Sequence, residues 1–212
     1  MSPVALVGFL VLFDAAALFA LYPRIDFFSG GYLLLTAALA ILQATFNRRI
    51  SDSDEIRQVF YARRLDTLWD KLVPVLGLSE LVVFVEYSHK PGSPHSMQIA
   101  GLILLALAVT WLLWVDRYLV QHFAASFRSG TLLTGGPYRY VRHPRYMGLL
   151  ATRFAMPLLF GSIVACLLAG AWLFLVHRRI RLEEAHLCAK FGDIYRHYAA
   201  ETPGLLTRID PR

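Results

Sequence analysis

Two short segments of this chain carry residues whose types and order could do chemistry. The first, at 132–148, reads LLTGGPYRYVRHPRYMG. Gly135, Gly136 and Pro137 dictate a turn. Pro144 biases His143 toward extended backbone and suits the first turn of a following helix. The loop therefore delivers Tyr138, Arg142, His143 and Tyr146 to a helix N-terminus, whose unpaired N–H groups favour an anionic group. Arginines and tyrosines alone would serve equally as an interfacial anchor. A double-glycine turn followed by RHP and three tyrosines is an order that anchoring does not need. The second segment, at 178–198, reads RRIRLEEAHLCAKFGDIYRHY. Arg179 and Glu183 are four apart and share a helix face. Leu187, Phe191, Tyr195 and Tyr198 form an apolar and aromatic stripe, which ordinary packing explains for Leu187 and Phe191. Standing alone, the Arg179–Glu183 pair would be a solvated contact worth a few tenths of a kcal/mol, roughly.

The elements that must position these segments are apolar. Hydrophobic residues make up 57% of the 212 and charged residues 17%, against about 45–50% and about 25% in soluble domains. With a mean hydropathy of +0.50, this excludes a disordered chain, a secreted disulfide scaffold and most nucleic-acid-binding modules. The net charge of +6 lies between apolar runs, as in a membrane protein with cationic loops. Four runs, at 4–22, 31–46, 72–87 and 99–115, read as single spans, each long enough or nearly so to cross a core of roughly 30 Å. The polar stretch 47–71 repeats Ile56, Val59, Phe60 and Leu65 at helical spacing, which suits a helix on the membrane surface. A short loop follows at 88–96, and 116–145 is polar and turn-rich. A fifth apolar stretch, 146–176, is about 46 Å long if helical, too long for one untilted span. Pro157 and Gly161-Ser162 give it a place to break, so it reads as two half-length helices forming a hairpin. The tail from His177 is charged and helical in pattern, and Pro203-Gly204 ends it.

The fold expected is all-α: a single membrane domain over 1–212, with four spans in 1–115. The loop, the hairpin and a cytoplasmic amphipathic C-terminal helix occupy 116–212. Arginine and lysine concentrate at 47–71, 116–145 and 177–212, while the two opposite loops hold only Arg24 and Lys90. By the positive-inside rule the three basic segments and both termini face the cytoplasm. That places both ends of the fifth stretch on one side, as a hairpin requires. Cys166 and Cys188 read as two inert thiols, and no cleavable signal peptide is evident. Asp14, Glu80 and Arg153 sit inside apolar runs, where charge is expensive and usually paired. An internal structural pair is the reading favoured there over a polar lining for a lipid tunnel. Met147, Met156, Trp172 and Phe174 read as packing residues.

GPYRYVRHPRYMG, followed by EEAHL-x3-FGDIYRHY, resembles the isoprenylcysteine carboxyl methyltransferase family over roughly 116–205. These are integral membrane enzymes that use S-adenosylmethionine, and membrane phospholipid N-methyltransferases look like their relatives. The resemblance implies a cofactor site on the cytoplasmic side, between the loop and the tail helix. Carried over, its contacts fall on Gly130, Thr131, Leu132, Leu133, Tyr138, His143, Pro144, Arg145, Tyr146 and Glu183, and Arg179 falls where the family contacts substrate. One departure is Gly130, where the family often has a histidine. Chemically, Glu183 suits the cofactor's ammonium or ribose hydroxyls, and N–H groups at the Pro144 helix start suit its carboxylate. Tyr138 and Tyr146 suit adenine or the sulfonium. A carboxylate acceptor held by Arg142 or Arg179 needs no general base, whereas a lipid amine would, with Glu184 nearest.

The expected activity is thus methyl transfer to a lipophilic acceptor that enters from the bilayer, a prenylcysteine-type carboxylate first. A phospholipid amine or a thiol is the alternative, and a transporter or scaffold the rival of another class. Membrane lipid is the expected surrounding, with no nucleic-acid partner and no metal.

Overall fold

The computed structural model describes residues 25–51, 67–89 and 93–205, with Ala16 and Phe19. The expected first span at 4–22, with Asp14, and the surface helix built on Ile56, Val59, Phe60 and Leu65 lie outside them. Among the described residues all regular structure is helical. The helices are α1 (Phe27–Ser51), α2 (Thr67–His89), α3 (His95–Ser129), α4 (Pro144–Phe160), α5 (Ile163–Phe191) and α6 (Asp193–Glu201), with a 3-10 turn at Gly136–Arg139.

Local chemistry explains the breaks. Pro144 opens α4 at its first position, where a missing N–H costs nothing. The chain runs through Pro157 and turns only at Gly161, whose φ of +62° is left-handed, the conformation glycine adopts without penalty. Ser162 then caps α5 by accepting from the Ala165 N–H at 3.1 Å. Tyr146, Leu149 and Leu150 of α4 pack with Trp172, Val176 and Ile180 of α5, so the two helices form the expected antiparallel hairpin. Its arms are unequal, however. α5 continues from the apolar run through the charged tail without interruption to Phe191, because arginine, glutamate, alanine and leucine are all good helix formers. For the same reason α3 outruns its apolar stretch, and the first part of the segment 116–145 expected to be turn-rich is helix up to Ser129.

α3 and α4 pack side by side along their length, with α1 against α3 and α2 against α5. Among the described residues two helices are long and apolar enough to cross a membrane, His95–His122 within α3 and Ile163–Phe191. Phe27–Leu42 is a shorter apolar helix. Large apolar side chains such as Leu34, Ile103, Leu107, Leu167 and Phe174 stand exposed on these helices, a surface matched to lipid. Inside, the Phe160 ring takes edge contacts from Tyr32, Phe84 and Tyr87 at centroid distances of 5.2, 5.4 and 5.1 Å. The far end is closed by polar contacts: Tyr87 donates to Asp26, and Gln98 donates to Tyr87 at 3.3 Å and to the Leu159 carbonyl at 3.2 Å. Glu80, 2% exposed, pairs with Arg153 at 2.6 Å and accepts from Trp172 Nε1 at 3.1 Å. The two charges expected inside apolar runs thus form the internal pair that burial demands.

Gly148 lets α4 lie against α3. A Cβ there would meet Leu112 Cγ at 2.6 Å and Trp111 Cδ1 at 3.1 Å. Gly148→Ala is expected to force the helices apart, at a cost of about 1–3 kcal/mol, read as a lowered melting temperature of the detergent-solubilised protein.

Candidate active site

The α3–α4 loop begins where Gly130 ends α3 with a φ of +65°. A histidine there would be strained, which gives the departure from the family pattern a backbone cause. Thr131 turns back onto α3: its N–H donates to the Ser126 carbonyl at 3.0 Å, and Ser126 Oγ donates to the Thr131 carbonyl at 2.6 Å. Leu133 and Tyr138 then pack on Val115 and Leu119 of α3. Trp111 Nε1 donates to the Pro144 carbonyl at 2.8 Å and ties the start of α4 to the same helix.

On its other side the loop is clamped by the tail. Beyond α6 the chain lies alongside residues 142 and 143, whose N–H groups donate to the Pro203 and Gly204 carbonyls at 2.9 and 3.2 Å. Tyr198 donates to the Tyr138 carbonyl at 2.6 Å. Burial raises both Tyr195 and Tyr198 above the usual tyrosine value, so Tyr198 stays a donor throughout the physiological pH range. Arg142, 4% exposed, donates through Nη1 to the Ala199 and Thr202 carbonyls at 2.6 and 3.1 Å. Its Nη2 pairs with Glu184 Oε1 at 2.8 Å.

The two motif segments converge on consecutive carboxylates of α5. His143 Nε2 lies 3.2 Å from Glu184 Oε1, so this nitrogen carries a proton and donates. Its Nδ1 lies 3.8 Å from Glu183 Oε2. Glu183 Oε1 accepts from the Tyr146 hydroxyl at 2.7 Å and from Arg179 Nε at 3.3 Å. Arg145 turns away toward α3 and pairs through Nε with Asp116 Oδ1 at 3.2 Å.

Of the residues expected at a site, the structure thus joins Arg142, His143, Tyr146, Arg179, Glu183 and Glu184 in one contact group. Pro144 and Arg145 stand at its edge, and Leu133 and Tyr138 stand against α3. Gly130 and Thr131 belong to the end of α3, and Leu132 continues the loop. Two roles change. Arg142 was expected to hold an acceptor carboxylate; buried under the tail, it instead fastens α6 to the loop. Glu184 was the nearest base for an amine; with Oε1 already accepting from Arg142 and His143, it is a poor proton acceptor. Sequence reasoning missed Asp116. It ends an apolar run and was read as the start of a polar loop, although an acid at the edge of such a run is itself a signal.

The two longest apolar helices, α3 and α5, thus flank a largely buried cluster of basic, acidic and aromatic side chains. Residues 96–194 match the phospholipid methyltransferase family, and the resemblance read from the two motifs stands. Over 87 residues the chain is 40% identical to the protein-S-isoprenylcysteine O-methyltransferase of Schizosaccharomyces pombe, covering 39% of this chain and 36% of that protein. Methanethiol S-methyltransferase 2 of Bradyrhizobium diazoefficiens is 27% identical over 68% of this chain and 65% of its own length. The methanethiol S-methyltransferase of Pseudomonas deceptionensis is 28% identical over 66% and 63%. The chain therefore spans between 36% and 65% of the length of these relatives. No solved structure matches it.

Proposed function

We propose that this protein is a multi-pass membrane methyltransferase that moves a methyl group from S-adenosylmethionine to a lipophilic acceptor reaching the site from the bilayer. The observation that carries this reading is the closure of both motif segments on Glu183 and Glu184 through Arg142, His143, Tyr146 and Arg179. The donor set fits such a cofactor. Acidic groups lie on both sides of the loop, a helix start lies between them, and Tyr138 and Tyr146 offer rings to a flat base or a sulfonium. When bound, S-adenosylmethionine supplies an electrophilic methyl group. Glu183 would accept from its ammonium or ribose hydroxyls, and the N–H groups at the start of α4 would suit its carboxylate. Arg179, beside Glu183, would hold the acceptor. The clamp of α6 and residues 202–204 over the loop excludes water and fixes the alignment that an in-line displacement needs.

A carboxylate acceptor comes first because it attacks without losing a proton, and Glu184 is engaged by Arg142 and His143. The methanethiol S-methyltransferases, matched over 68% and 66% of this chain, support a thiol as the second reading. Incubation with labelled S-adenosylmethionine and a prenylcysteine, a thiol or a lipid amine tests these acceptors together; no labelled product from any of them refutes the reading. Glu183→Gln should weaken cofactor binding on the order of tenfold, as a charge-assisted contact becomes a neutral one. Tyr146→Ala should do the same through lost packing. Calorimetry giving wild-type affinity for both variants would move the site elsewhere.

The membrane arrangement we infer has four single spans, the hairpin, and a cytoplasmic amphipathic C-terminal helix, with both termini cytoplasmic. The bonds from residues 142 and 143 to 203 and 204 support this, because a loop and a tail bonded to each other would share one side of a bilayer. A reporter fused after Arg212 is expected to be cytoplasmic. An external C-terminus with an internal N-terminus would overturn the arrangement.

A further inference from the structure

Asp116 is the carboxylate that the site, as described so far, leaves without a role. It lies on α3 at 6% exposure, and neither oxygen accepts a hydrogen bond from the described residues. Arg145 stands beside it, its Nε forming an ion pair with Oδ1 at 3.2 Å. A buried carboxylate in that condition is costly unless a further donor completes it.

Position supplies the donor's identity. Asp116 follows Val115 on the stretch of α3 where Leu133 and Tyr138 pack, and Trp111 on the same helix holds the Pro144 carbonyl. It therefore flanks the 142–146 loop on the α3 side, while Glu183 flanks it on the α5 side. A neighbouring carboxylate and guanidinium are complementary to an α-amino acid, which presents an ammonium and a carboxylate on adjacent atoms.

We propose that Asp116 receives the ammonium of the methyl donor's amino-acid end, with Arg145 and the start of α4 facing the carboxylate of that same end. This rests on the methyltransferase reading, and it leaves Glu183 for the ribose hydroxyls. Asp116 thereby selects for the amino-acid half of the ligand rather than for its nucleoside half.

Two ligands separate the halves: S-adenosylhomocysteine carries both, and 5′-methylthioadenosine keeps the nucleoside and thioether but lacks the amino acid. Calorimetry with the full-length protein in detergent is expected to show Asp116→Asn losing at least tenfold in affinity for S-adenosylhomocysteine while changing less than twofold for 5′-methylthioadenosine. Arg145→Met should show the same asymmetry, and it serves if Asp116→Asn fails to fold. Equal losses for both ligands, or no loss for either, would overturn the assignment of Asp116 and leave the methyltransferase reading intact. If the wild-type protein binds neither ligand, the methyltransferase reading itself falls and takes this one with it.

Discussion

Arg142→Ala is expected to undock the C-terminal tail and abolish cofactor binding with it. The guanidinium touches α5, α6 and the segment beyond it at once: Glu184 at 2.8 Å, the Ala199 carbonyl at 2.6 Å and the Thr202 carbonyl at 3.1 Å. Its removal leaves two carbonyls and a buried carboxylate short of donors. Breaking a buried ion pair from one side costs about 3–5 kcal/mol, a large part of the total stability of an ordinary domain, about 5–15 kcal/mol. The damage should be local first, since α6 is short and the loop hangs on residues 203 and 204. Limited proteolysis should cut within 193–205 well before the helices unfold. Arg142→Lys should be intermediate, because an ammonium cannot span a carboxylate and two carbonyls as the planar fork does. Adding Glu184→Gln to Arg142→Ala should recover part of the loss, as it removes the stranded charge. Wild-type protease resistance in Arg142→Ala would refute the clamp.

This variant also shows what the sequence conveyed and what it did not. Breaks were legible wherever they rest on local chemistry: Pro144 opens a helix and Gly161-Ser162 turns one, whatever surrounds them. Helix ends were misjudged where polarity changed without a breaker, at Asp116 and at His177, because the apolar face stops while helix propensity continues. The motif residues pointed to a site by type and order. Their division of labour was not readable, since Arg142 finds its acceptors in backbone carbonyls 57 and 60 residues away, and a carbonyl leaves no mark in a sequence. Glu80 and Arg153 stand between these cases. Charge inside apolar runs required partners, but only the packing of α2 against α4 and α5 decided that they would be each other's, 73 residues apart, with Trp172 as a third member.

The acceptor is what remains to be separated, and Arg179 does it. This residue is buried one helical turn before Glu183, to which its Nε donates at 3.3 Å. Trp172, Val176 and Ile180 continue the same packed region of α5 toward the hairpin turn. A lipophilic molecule approaching along that region meets Arg179 as its first cation of the site. If its reactive group is a carboxylate, the guanidinium draws and orients it, and Arg179→Ala should lower kcat/KM on the order of a hundredfold, the effect of losing one or two charge-assisted hydrogen bonds of about 1.5–3 kcal/mol each. Cofactor affinity should move far less, because Glu183 keeps the Tyr146 hydroxyl at 2.7 Å. Arg179→Lys should recover only part of the turnover, because it restores the charge without the two-point grip. If the reactive group is an amine, a cation here is repulsive, and its removal should leave turnover unchanged or raise it. A thiol separates from both: it reacts as the thiolate, so its kcat/KM should climb with pH toward the thiol's pKa of about 8.5 in wild type and Arg179→Ala alike. A carboxylate acceptor, ionised throughout that range, should show no such climb. Kinetics of the three proteins against each acceptor at two pH values, with cofactor affinity measured in parallel, therefore gives each chemistry its own pattern. Unchanged carboxylate turnover in Arg179→Ala would remove the carboxylate from first place.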